Sequence, residues 1–235
     1  MTSLDTPERQ IDDALRSNLV PGAVSALRAV SDDALAALPP GIVPQAAVAQ
    51  RKREFAAGRL AAADAIETLG GARTYPATGR YREPVWPAGI VGSISHTRSI
   101  AVAIAGTSPG FTGLGVDIEP VQAMDDAVRA QLVSGSEIEA WAGRLDDQVL
   151  PVAVFSYKEA LYKCIFPRVR RFVDFLEVSV TPGSDGPASD CVDADNDVRG
   201  IVSAVSGRIA LCGDHVVSVC WLRAAPRNRQ ADEAG

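Results

Sequence analysis

The chain has 235 residues, 47% of them hydrophobic and 22% charged, with a formal net charge of −6. That length supports a full core in one large or two small domains, the composition is that of a soluble globular enzyme, and no apolar run approaches the roughly 20 residues a membrane span needs. The acidic balance argues against general nucleic-acid binding, two histidines are too few for a His-rich zinc site, and the polar opening "MTSLDTPERQIDDALRS" does not read as a secretory signal. Cys164, Cys191, Cys212 and Cys220 lack CxxC spacing and read as reduced packing residues of a cytoplasmic protein.

In chain order, residues 11–38 read as one or two short amphipathic helices broken at "PGAV", and 39–45 as a loop. The Ala-rich stretch from Gln45 to Leu69 predicts a helix stopped by Gly70-Gly71. Residues 73–89 form a Pro/Gly loop, and 90–106 predict two strands around a turn near 96–99. "FTGLGVDIEP", 111–120, predicts the next strand. Residues 123–165 are expected to be mainly helical with an interruption near "GRLDD", and 171–182 alternates like a strand. Residues 183–200 read as a polar acidic loop and 201–222 as two or three strands, with a disordered tail beyond. Helix then strands, twice over, gives an α+β chain in two halves meeting around residue 120. The division drawn is 1–120, 121–225 and a tail of 226–235.

Four stretches carry candidate chemistry. Asp117 and Glu119 flank Ile118 on the 111–120 strand, so both carboxylates point to one face, about 7 Å apart. Hard cations want oxygen ligands, and Mg²⁺ typically takes one or two carboxylates with water and phosphate. Alone, D-x-E is equally a strand end with two solvated acids. In "FSYKEALYKCIF", Val154, Tyr157, Leu161 and Ile165 form a core stripe, while Glu159 and Lys163 stand one turn apart beside Lys158. That set reads either as a surface ion pair or as a third carboxylate with two ammonium groups for phosphate. "GSISH", 92–96, places Ser95 and His96 at a strand end where a turn can meet an anion, and no G-x-S-x-G elbow accompanies them. "QRKREFAAGR" carries Arg51, Lys52, Arg53 and Arg59, with Arg51 and Arg59 about 12 Å apart along a helix, either a solvated face or an anion site. Arg80 and Arg82 follow in the 73–89 loop.

Taken in order, Arg51, Phe55 and Arg59, then "YREPVWP", "GSISH", "GVDIEP" and "FSYKEALYK" resemble the 4′-phosphopantetheinyl transferases of the monomeric two-lobed type. Each motif is weak alone, and five in order over residues 51–175 are specific. The resemblance implies two similar α/β subdomains related by a pseudo-twofold. It implies Mg²⁺, with Mn²⁺ as an alternative, held by Asp117, Glu119 and Glu159. Lys158 and Lys163 would meet the pyrophosphate of coenzyme A and join Glu159 in catalysis. Ser95, His96, Arg51 and Arg59 would hold the 3′-phosphate, and Arg80 and Arg82 would lie near the nucleotide. The expected reaction moves phosphopantetheine to a serine of an acyl or peptidyl carrier protein. Departures concern the branch: Thr97 stands where enterobactin-type members often have cysteine, and Ile118 lies between the acids as in surfactin-type enzymes. Two other readings are a coenzyme A or nucleotide binder without transfer activity, and a Mg²⁺-dependent phosphohydrolase. Finally, Arg168, Arg170 and Arg171 follow the K-E helix, with Pro167 expected to break it, and read either as a basic helix end or as a docking patch for an acidic carrier protein.

Overall fold

The computed structural model describes residues 6–191 and 196–224. The elements are α1 (Pro7–Asn18), β1 (Ala23–Ala29), α2 (Asp32–Ala37), α3 (Ala49–Thr68), β2 (Ala77–Thr78), β3 (Pro84–Val85), β4 (Ile90–His96), β5 (Ile100–Thr107) and β6 (Phe111–Pro120). Then come α4 (Asp126–Leu132), α5 (Gly135–Trp141), α6 (Val149–Val169), a 3₁₀ turn at Phe175–Glu177, β7 (Val178–Pro182), β8 (Pro187–Cys191), α7 (Asn196–Ser203), β9 (Ser206–Cys212) and β10 (His215–Arg223).

Two three-stranded antiparallel sheets organise the fold, ordered β1-β5-β4 and β6-β10-β9. Each is built the same way. A first strand leads to a long helix, and the hairpin that follows sends its second strand back beside the first. In one half these are β1, α3 and β4–β5; in the other they are β6, α6 and β9–β10. α3 packs on β5 and β1, and α6 on β6 and β10. The α+β architecture of two like halves is therefore the one expected. The seam, however, falls before β6 and not after residue 120. β6 completes the edge of the second sheet through its ladder to β10, so the strand bearing Asp117 and Glu119 hydrogen-bonds into the later half.

Glycine explains how closely the second helix sits. A Cβ on Gly115 would overlap the carbonyl oxygen of Ala160, and one on Gly113 that of Cys164. Without side chains there, α6 lies directly on β6. The stripe Val154, Tyr157, Leu161 and Ile165 is buried as its spacing requires. Between the sheets, Ile11 and Leu15 of α1 join Val102, Ile104, Val116, Ile118 and Val219 in a shared core.

Several local expectations are corrected. "AVSALRA" inside the supposed helical region 11–38 is β1, half-buried against β5 after the Pro21-Gly22 break. The 171–182 stretch is strand only from Val178, because the Asp174 and Glu177 side chains close a 3₁₀ turn first. The supposed loop 183–200 contains β8 and the start of α7, and 192–195 lie outside the described residues with the tail 226–235. Region 201–222 holds the end of α7 and two strands. Pro167 does not break α6. The helix runs to Val169 and ends at Arg170 in the left-handed conformation, whose N–H donates to the Phe166 carbonyl. In the last turn a proline forfeits only one helical bond.

Candidate active site

A cleft of about 770 Å³ opens between the two halves. Its walls are β4, the hairpin β2–β3, β6 and α6. On the first-half side stand Arg51, Arg82, Ser95 and His96; on the second-half side, Asp117, Glu119, Glu159 and Lys163. The fold thus gathers eight of the residues singled out from sequence into one cavity.

The cationic wall is built from α3 and the end of β4. Arg51 Nη1 donates to His96 Nε2 at 2.8 Å and to Glu54 Oε2 at 3.2 Å. Because a guanidinium cannot accept, His96 Nε2 must be the acceptor, and the imidazole is neutral. Burial, then Arg51, push the His96 pKa below the ordinary value. Arg82 adopts a left-handed backbone (φ 69°) in the turn of the hairpin, where its N–H bonds to Gly79.

The anionic wall is built from β6 and α6. Asp117 is 2% exposed. Its Oδ1 accepts from Lys163 Nζ at 2.7 Å and from Ser95 Oγ at 2.8 Å, while Oδ2 is buried with no partner. Lys163 also donates to Ser95 Oγ and the Val116 carbonyl, so its three N–H groups are committed. Burial, followed by repulsion from Asp117, pushes Glu119 up to about 7. Glu159 is raised too, chiefly by burial, with Lys163 opposing and Asp117 adding to the shift. These three carboxyls share one wall, yet among the described residues no three acidic, histidine or cysteine groups converge closely enough to hold a metal ion. The chemistry of the set nevertheless fits a hard divalent cation. An orphaned buried carboxylate oxygen and two acids whose pKa values are raised by burial and by the nearby Asp117 are what a cation would relieve.

Three expected site residues, Lys158, Arg59 and Arg80, stand elsewhere. Lys158 is 3% exposed and faces away from the cleft. Its Nζ donates to Glu137 Oε2 at 2.8 Å and to the carbonyls of Leu132 and Phe175. All three protons are used, so no donor is left for pyrophosphate, and burial lowers its pKa against the opposing pull of Glu137. Arg59 is 6% exposed, stacked on Phe55 at 4.4 Å and bonded to Thr78. Burial pulls its pKa down to about 10, and it does not line the cleft. Arg80 lies over Tyr81, also outside the cleft lining. Of the basic patch, Arg170 reaches the cleft mouth at 3.7 Å from Glu83, Arg171 pairs with Glu177 at 3.0 Å, and Arg168 lines a different depression beside α7.

Sequence reasoning missed Glu137, fully buried at the centre of a knot. It accepts from Lys158, from the Ser134 N–H and from the Val180 N–H. The signal was present as the capping box Ser134…Glu137 opening α5. Tyr81 and Glu83 were also missed. They carry the hairpin across to α6, where Tyr81 meets Phe166 edge-on at 5.7 Å.

Residues 38–106 match the 4′-phosphopantetheinyl transferase N-terminal domain, and residues 113–220 match the 4′-phosphopantetheinyl transferase superfamily. The chain is 30% identical over 162 residues to the 4′-phosphopantetheinyl transferase PptT of Mycobacterium tuberculosis, covering 63% of this chain and 69% of that one. The chain belongs to the 4′-phosphopantetheinyl transferase superfamily. It is also similar to enterobactin synthase component D of Salmonella typhimurium, at 34% over 51% of this chain and 50% of the relative. With 4′-phosphopantetheinyl transferase Svp of Streptomyces mobaraensis it shares 33% over 59% of this chain and 58% of that one. The matched region thus spans from about half to just over two thirds of these curated relatives. Among solved structures, the Helicobacter pylori holo-[acyl-carrier-protein] synthase in complex with coenzyme A aligns at 20% identity and a TM-score of 0.37, over 46% of this chain and 96% of that one. The boundary between the two matched regions falls at 107–112, where this transferase passes from its first sheet to its second.

Proposed function

We propose that the protein transfers the 4′-phosphopantetheine group of coenzyme A to a serine hydroxyl of an acyl or peptidyl carrier protein, releasing 3′,5′-ADP. The observation that carries this is one cleft with a cationic wall, Arg51 and His96, facing an anionic wall, Asp117, Glu119 and Glu159 with Lys163. A ligand with a lone phosphate for the cationic wall and a pyrophosphate that a divalent cation would link to the acidic wall fits that arrangement. Arg51 and His96 receive the 3′-phosphate; Arg82 is near the nucleotide. Mg²⁺ bound by Asp117, Glu119 and Glu159 would supply the charge that neutralises the pyrophosphate.

In the transfer, the serine oxygen forms a bond to the phosphorus bearing pantetheine as the bond to the bridging oxygen breaks. The protein's own work is positioning and charge stabilisation. Glu159, which lines the cleft from α6, is the carboxyl placed to take the serine proton, directly or through a water. Lys163, locked to Asp117 and Ser95, keeps a positive charge at the join of the two walls. The carrier docks at the cleft mouth beside Arg170, with Arg168 and Arg171 adding positive charge for an acidic partner. The cleft is complete within one chain, which supports a monomer, and four free buried cysteines support a cytoplasmic setting.

The test is mass spectrometry of an apo carrier protein incubated with the enzyme, coenzyme A and Mg²⁺. The expected result is the addition of one phosphopantetheine. Turnover of coenzyme A without carrier would favour a phosphohydrolase, and binding with no change in carrier mass would leave only a coenzyme A binder.

A further inference from the structure

β4 and β6 are the facing edge strands of the two sheets, and they lie against each other without a backbone ladder. The join is made by side chains. Ser93 and Ser95 share one face of β4 and are buried. Ser93 Oγ accepts the Val116 N–H at 3.1 Å. Ser95 Oγ gives its proton to Asp117 Oδ1 at 2.8 Å and accepts from Lys163 Nζ at 3.1 Å. Lys163 also takes the Val116 carbonyl at 3.2 Å. Two serines and a lysine therefore replace a stretch of ladder across the seam, and they do so at Asp117 and the residue before it.

A hydroxyl has one proton to donate, and an anion needs a donor. The proton of Ser95 is spent on the carboxylate. We propose that Ser95, supported by Ser93, is a positioning residue for Asp117 and not a ligand of the 3′-phosphate. It fixes Oδ1 against the first half, and so leaves the orphaned Oδ2 as the oxygen offered to the site. Asp117 comes from one sheet and His96 from the other, so the two serines also set the spacing of the two walls. The inference rests on the transferase reading above.

The experiment has two arms. First, Mn²⁺ affinity is measured by electron paramagnetic resonance with saturating 3′-dephospho-coenzyme A, so the phosphate is out of play. Second, the KM ratio of dephospho-coenzyme A to coenzyme A is measured with a carrier protein. For Ser95→Ala the expected result is Mn²⁺ binding weakened roughly tenfold or more, a lower kcat, and an unchanged KM ratio, since a hydrogen bond to a charged group is lost. Ser95→Thr should restore Mn²⁺ affinity, and Ser93→Ala should show a smaller loss with the same unchanged ratio. His96→Ala should show the opposite pattern, a collapsed ratio with Mn²⁺ binding retained. If Ser95→Ala collapses the ratio and leaves Mn²⁺ affinity alone, the hydroxyl is a phosphate ligand and the inference fails. If neither measurement moves, it also fails. A parent enzyme that modifies no carrier at all would instead overturn the transferase reading.

Discussion

The two halves repeat one plan, strand, long helix, returning hairpin, yet they bring opposite charge to the cleft. α3 offers Arg51 to it, next to His96 from β4. α6 offers Glu159 and Lys163, next to Asp117 and Glu119 from β6. The helices also bury themselves differently. α3 packs through alanine, with Ala56, Ala57, Ala61, Ala62, Ala63 and Ala65 all fully buried, whereas α6 packs through large side chains and rests on glycines of its strand. One backbone plan thus accepts two solutions to close packing, small residues on the helix or small residues on the strand. What separates the halves chemically is a few side chains on the helix and on one edge strand of each. Those edges are not equivalent: β4, the counterpart of β9, in the first half and β6, the counterpart of β1, in the second.

The sharpest way to break this contrast is to remove the anionic wall. Asp117→Ala, Glu119→Ala or Glu159→Ala should each lower the transfer rate roughly a thousandfold or more, because several kcal/mol of charge stabilisation disappear from the transition state. Circular dichroism should show an unchanged fold. Near-parental rates at saturating Mg²⁺ in any of the three would show that these acids are not the metal set.

Next in size is a stability effect confined to the second half. Lys158→Met should destabilise the protein by about 3–5 kcal/mol in urea unfolding, because Glu137 is left as an unpaired buried charge. Lys158→Met combined with Glu137→Leu should recover most of that loss. If the single variant unfolds like the parent but fails to turn over coenzyme A, the ammonium belongs to the cleft after all.

Lys158 also shows what was legible in the sequence. The neighbouring motif acids were found because D-x-E on a strand and K-E on a helix fix their faces. The same periodicity should have removed Lys158 from the cleft, since it lies four residues after Val154 and three before Leu161, on the core face. Motif order outweighed spacing there. Arg59 was harder to place. An alanine-rich helix lets neighbours approach on every side, and no pattern of apolar residues marks which charge is enclosed. β1 was lost because its moderate, half-buried strand pattern resembles a short helix when no partner strand is in view. The overall α+β repeat was legible because the long helices and the two hairpins each carry strong local signals.

The two arginines of α3 give the third test. Arg51→Ala should weaken coenzyme A binding about 10- to 100-fold and leave 3′-dephospho-coenzyme A untouched, as expected for one lost charge-assisted bond. Arg59→Ala should instead lower the unfolding midpoint, through lost packing on Phe55, with the same small effect on both ligands. Equal weakening of both ligands by Arg51→Ala would make that arginine structural.

The smallest expected effect is in the pH dependence of stability, and it tests whether the anionic wall is strained without a cation. The folded-state pKa of Glu119 is pushed up to about 7 from an ordinary value of 4.5, by burial first and Asp117 second. Between those values the folded protein holds a proton that the unfolded chain has released. Folding therefore binds protons, and stability falls as pH rises through that window. The cost is absent below about 4.5, grows toward 7 and is complete above it. Glu119→Gln removes the titration while keeping the shape. In EDTA, the unfolding temperature of the variant relative to the parent should climb as pH rises from about 4.5 to 7 and level off above it. Saturating Mg²⁺ should shrink the difference at pH 8, because a cation beside Asp117 and Glu119 favours the ionised carboxyl. A difference that is flat across pH, or unmoved by Mg²⁺, would mean that Glu119 is solvated and that its burial against Asp117 places no strain on the metal-free wall.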